Sequence, residues 1–84
     1  MELKDTVDLM LSDNFEDRLK AEYLQASIRF EKLTRAISCP VIGENGIPSK
    51  EELNYLIMQQ HALCAYIRTL MFRADLLGIE LPEV

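Results

Sequence analysis

Apolar residues recur through residues 13–38 at Phe15, Leu19, Tyr23, Ala26, Phe30, Leu33 and Ile37. The steps of three and four place them along one face of a helix, a pattern that the two-residue period of a strand does not produce. Residues 49–77 repeat it with Leu53, Leu56, Gln60, Leu63, Ile67, Leu70, Ala74 and Leu77. Two seamed helices with a short connection predict an antiparallel hairpin. Ahead of them, Leu3, Val7, Met10 and Leu11 fall at helical spacing and predict a short amphipathic helix over 2–11. Such a helix is too short to persist alone in water and needs a surface to pack on. The expected fold is all-α: a short first helix (2–11) and a long hairpin (13–38 and 49–77), in one domain spanning 1–84.

Local signals punctuate this pattern. Asp13 is placed to cap the first long helix, with Glu16 three residues on. Cys39-Pro40 is expected to end it, because the residue before a proline disfavours the helical region. Gly43 and Asn45-Gly46 mark turns in the connection. Two minimal strands around Glu44-Asn45-Gly46 are the alternative reading. A phosphate-binding loop does not fit, since the lysine-serine ending and the preceding strand are both lacking. Ser49 with Glu52 forms a capping box for the second long helix, and Gly78 is a natural stop. Ile79 and Leu81 are expected to fold back as an extended tail.

Composition changes this picture in one respect. The chain has 84 residues and is 49% hydrophobic, more than one hairpin can bury on a single seam. The second long helix carries two further apolar stripes, Tyr55/Ala62/Tyr66 and Ile57/Cys64/Met71, and a helix apolar on several sides is buried on several sides. Self-association is therefore expected, or packing of the 2–11 helix over the hairpin. Gln60 interrupts the second seam. A polar residue there fixes register or oligomeric state, or bonds to a ligand.

The net charge of −5 argues against a nucleic-acid polymer as partner. No residues form a readable catalytic set. His61 is the only histidine, and Cys39 and Cys64 stand apart, so neither a metal site nor a cofactor is expected. The acids at Glu16-Asp17 and Glu51-Glu52 suit helix N-termini. Residues 1–11 lack the basic start of a secretory leader. The uncharged run 53–67 is too short to span a bilayer. A cytoplasmic binding protein with no membrane partner, rather than an enzyme, is expected.

The cations of the first long helix fall together. At 100° per residue from Phe15, Arg18 lies near about 300°, Arg29 near about 320° and Lys32 near about 260°, with Gln25 near about 280°. They line one flank of the seam, with Glu22 partly neutralising the strip. They could be an ordinary solvated flank pairing with Glu22 and Glu31. They could also meet phosphate, which Arg contacts in bidentate fashion and Lys as a point charge, while Phe15 and Tyr23 offer faces for a base.

The run from Phe15 to Leu24, then Arg29, Lys32 and Leu33, a loop, and Leu53, Gln59-Gln60, Leu63, Tyr66, Leu70 and Arg73-Ala74 resembles the small helical-hairpin proteins of bacteriophages, in particular the phage anti-CBASS sponges. The resemblance covers about residues 13–78. It implies a protein that binds cyclic di- or trinucleotide messengers of bacterial immunity without cleaving them, in the host bacterial cytosol. It also implies a homo-oligomer, a hexamer, with pockets between subunits. In the sponges an aromatic residue at the start of the first long helix stacks on a base, and a basic residue further along meets the phosphates. Phe15 matches the first, having lost the hydroxyl of the sponges' tyrosine and kept the stacking face. Arg29 or Lys32 matches the second, and Arg18 is a further candidate. The alternative function is a small helical adaptor that binds and inhibits a host protein.

Overall fold

The computed structural model describes residues 1–38 and 49–83, and every regular element among them is helical. A 3₁₀ turn, Leu3–Thr6, leads into α1 (Val7–Met10). Two long helices follow, α2 (Phe15–Ser38) and α3 (Lys50–Leu77). The 28 residues of α3 rise about 42 Å at 1.5 Å each, and the molecule is 42 Å long. The hairpin thus sets its length. The helix stop at Cys39-Pro40 and the turns or small strands read around Gly43 and Asn45-Gly46 lie outside the described residues.

Each helix end has a chemical cause. Asn14, rather than Asp13, caps α2. Its Oδ1 accepts from the Glu16 amide at 2.8 Å, while the Ser12 hydroxyl accepts from the Asn14 amide and donates to Asp17. Asp13 stands one position too early for its carboxylate to meet the first free amides. Ser49 caps α3 by accepting from the Glu52 amide at 3.1 Å. At the far end Gly78 is left-handed, with φ 70°. The Gly78 amide donates to the Asp75 carbonyl and the Ile79 amide to the Ala74 carbonyl, which together make a Schellman closure. Ile79 and Leu81 then fold back onto the core, as the sequence led one to expect.

α2 and α3 run antiparallel. Glu22 meets the Tyr66 hydroxyl near one end, and Thr34 accepts from the Gln60 carboxamide at 3.0 Å further on. Gln60, which broke the apolar seam, therefore ties the register of the hairpin. Between the helices, Leu19, Ala26, Leu70 and Ala74 form the core, with Tyr23 and Ile67 packed against it.

A second buried row on α2, Ala21, Leu24 and Ile28, lies away from this seam. The 3₁₀ turn and α1 pack against α2 and, among the described elements, not against α3. Thr6, fully buried, anchors them: its hydroxyl donates to the Leu3 carbonyl at 2.7 Å and accepts from the Gln25 carboxamide at 3.1 Å. The first helix is split because Glu2 and Asp5 close a 3₁₀ turn, with the Glu2 amide donating to the Asp5 carboxylate at 2.8 Å.

α2 is thus covered on two sides. The outer face of α3 stays bare, with Phe72 67% and Leu76 85% exposed.

Candidate functional site

The four residues singled out in the sequence stand on α2 in two pairs. Phe15 and Arg18 lie at its first turn, and Arg29 and Lys32 lie toward the connection. Fourteen residues separate Phe15 from Arg29, or about 21 Å along the axis. Within one chain the two pairs stand toward opposite ends of α2.

Each pair has its own surroundings. The Phe15 ring is 47% exposed, and the Arg73 guanidinium lies 6.0 Å from its centroid, at the limit of cation–π attraction. Arg73 was not among the expected site residues. The register that brings Leu19 to Leu70 also brings Phe15 to Arg73, so the pairing was implicit in the facing seams. Arg18 is exposed and makes no ion pair among the described residues. Lys32 is engaged: its ammonium lies 3.2 Å from the Glu2 carboxylate of the N-terminal segment. Arg29 is exposed, with no ion pair among the described residues.

Arg29 also lines a cleft of about 750 Å³ between α2 and α3. Glu22, Gln25 and Arg29 form its α2 rim, and Gln59 and Tyr66 its α3 rim. Ala26 and Ala62 face it from the two helices, and their small side chains leave the hollow. The sequence placed Glu22, Gln25 and Arg29 together on the flank, and Ala62 and Tyr66 together on one stripe. What it lacked was the rotation of the helices that turns these rows toward each other.

Among the described residues there is no cluster of His, Cys, Asp and Glu suited to a metal ion, and no helix is long and apolar enough to cross a membrane. The cleft rim offers a carboxylate, a guanidinium, two carboxamides and a phenol ring, from Glu22, Arg29, Gln25, Gln59 and Tyr66.

The family model named Sequestin matches residues 13–76, from the cap of α2 nearly to the end of α3. The chain belongs to the Sequestin family. Membership bears out the resemblance to the anti-CBASS sponges read from the sequence. No curated protein and no solved structure matches the chain. The family name describes the sequestering of a ligand, which fits a binding protein. The match takes in both pairs on α2, Arg73, and the whole cleft, while the N-terminal segment that holds Lys32 falls outside it.

Proposed function

We propose that this Sequestin protein sequesters a cyclic di- or trinucleotide messenger, uncleaved and without a cofactor, as a phage anti-defence protein in the host bacterial cytosol. The family match over residues 13–76 carries the reading. The chemistry of α2 supports it. A cyclic dinucleotide presents two π-faces and two negative charges. Phe15 supplies a half-exposed face, and Arg18 and Arg29 supply cations not engaged in ion pairs among the described residues. Lys32 joins them if Glu2 releases it.

The separation of about 21 Å along α2 between Phe15 and Arg29 supports a second subunit, since one ligand can then meet Phe15 of one copy and a cation of another. The uncovered face of α3, with Phe72 and Leu76, supplies apolar surface for such a homo-oligomer, a hexamer in this proposal. The same face favours a second reading, a helical adaptor that docks on and inhibits a host protein.

Light scattering and thermal melting with a panel of cyclic di- and trinucleotides separate the two. A ligand that binds only the folded state raises Tm according to RT ln(1 + [L]/Kd). A hexamer-sized particle stabilised by one cyclic nucleotide, with the shift lost in Phe15→Ala, is the expected result. A particle indifferent to every nucleotide, and copurifying with a single host protein, would favour the adaptor.

A further inference from the structure

The outer face of α3 carries a second seam. Met58, Ala62, Ala65, Thr69, Phe72 and Leu76 recur in steps of four, three, four, three and four, and every one of them is exposed. At 100° per residue they span about 80° of the helix surface and run about 27 Å along it. They lie on the side away from Leu70 and Ala74, which are buried in the hairpin core. No charged residue interrupts the row. Its one hydroxyl, on Thr69, donates to the Ala65 carbonyl at 2.9 Å, so no donor is stranded when the face is covered. Such a repeat, held for nearly three heptads, is the pattern by which one helix seats its side chains between those of another. The N-terminal segment packs on α2, and among the described elements none of this chain lies over the seam.

Turned end for end, the seam complements itself. With a two-fold axis level with the Ala65–Thr69 turn, Ala65 lies opposite the partner's Thr69, Ala62 opposite the partner's Phe72, and Met58 opposite the partner's Leu76. The exposed Phe72 ring thus enters the space that an alanine leaves. In antiparallel pairs the flanking positions also meet like with like. On one flank His61 comes beside the partner's Asp75. On the other, Gln59 comes beside the partner's Arg73, and Tyr66 beside the partner's Tyr66. Asp75 and Arg73 make no ion pair among the described residues. One like-charge approach results, Arg68 to the partner's Arg68 at the axis. A parallel pairing is worse: it sets alanine against alanine, leaving voids, and places Arg68 beside the partner's Arg73 on both sides.

We propose that this seam is a two-fold interface, in which α3 packs antiparallel on α3 of a second copy with Phe72 seated over Ala62. The same patch serves both copies, as a closed two-fold contact requires. Gln59, Ala62 and Tyr66 are also the α3 rim of the cleft, so the second copy brings its Phe72 and Arg73 to the cleft mouth. The inference rests on the homo-oligomer proposed above and gives it a face, a direction and a register. It requires no ligand.

Two measurements on the full chain test it. In chains carrying Cys39→Ser and Cys64→Ser, Met58→Cys is placed in one and Leu76→Cys in another, and the two are mixed under mild oxidation. A crosslink between the two chains is expected, with neither chain crosslinking to itself. Sedimentation equilibrium then follows an exchange of large and small residues, with helix content checked by circular dichroism. Ala62→Phe alone, at an exposed position, should weaken association about ten-fold or more, as overfilling a packed layer does. Phe72→Ala alone should weaken it too, and the double variant should recover much of the loss. Arg68→Gln should tighten association several-fold by removing the repulsion at the axis.

Self-crosslinking of either single-cysteine chain, or a double variant that recovers nothing, would overturn the interface and leave a homo-oligomer formed through another face standing. A wild-type chain that is monomeric at every concentration would overturn both. The mixed crosslink and the recovery, in a protein that binds no cyclic nucleotide, would uphold the interface and overturn sequestration.

Discussion

The Lys32 ammonium lies 3.2 Å from the Glu2 carboxylate, thirty residues earlier in the chain. This contact folds the N-terminal segment across the same flank of α2 that carries Arg29. In this arrangement a carboxylate of the protein itself occupies one of the cations proposed to meet phosphate. The pair is exposed, so it contributes little to stability, and an anionic ligand competes with it on even terms. Glu2→Gln is expected to leave Tm nearly unchanged and to tighten cyclic dinucleotide binding several-fold, with the gain shrinking as salt rises. Calorimetry at two salt concentrations checks this, and unchanged affinity would remove Lys32 from the site.

Thr6 holds the segment by a different means. Its hydroxyl is fully buried, donating to Leu3 and accepting from Gln25. Thr6→Val keeps the shape and strands both partners, at a cost of about 1–3 kcal/mol. Because the segment touches only α2 among the described elements, the loss should be local. Faster amide exchange at residues 3–10, with α3 protection unchanged, is the expected outcome.

Gly78 closes α3 in the left-handed region, at φ 70°. No atom lies near the Cβ that a side chain would add, so the cost of substitution is one of backbone strain rather than crowding. Gly78→Ala should destabilise the chain by about 1–2 kcal/mol, measured by denaturant titration, and should loosen the docking of Ile79 and Leu81 on the core.

The bare face of α3 carries the oligomer proposal. Phe72 and Leu76 point away from the hairpin core, at 67% and 85% exposure. Phe72→Asp with Leu76→Asp should leave helix content intact and reduce the particle mass seen by light scattering. A wild-type chain that is already monomeric would contradict the oligomer directly.

The hairpin was legible because a seam of three- and four-residue steps has one geometric solution, and its partner seam lay in the same chain. Gln60 was legible as an interruption, and Thr34 gave it a reason. Other features depend on tertiary arrangement and leave no local trace. Asn14 displaces Asp13 as the cap through a difference of one residue. Glu2 finds Lys32 only because the N-terminal segment chooses α2 over α3. Arg73 reaches Phe15 through the hairpin register. The cleft depends on two alanines, Ala26 and Ala62, each unremarkable on its own helix and hollow only when the helices face each other. The angles put the three cations Arg18, Arg29 and Lys32 on one flank of the seam that Phe15 begins. Angle alone does not show that separation along the axis splits these four residues into two pairs.

The most direct test of the account is a calorimetric titration of the purified protein with cyclic di- and trinucleotides at micromolar concentration, followed by recovery of the ligand. The account predicts saturable binding of at least one of them, the nucleotide recovered intact, and binding lost in Phe15→Ala and weakened in Arg29→Gln. The absence of binding to every cyclic di- and trinucleotide, or recovery of a linearised product, would contradict it.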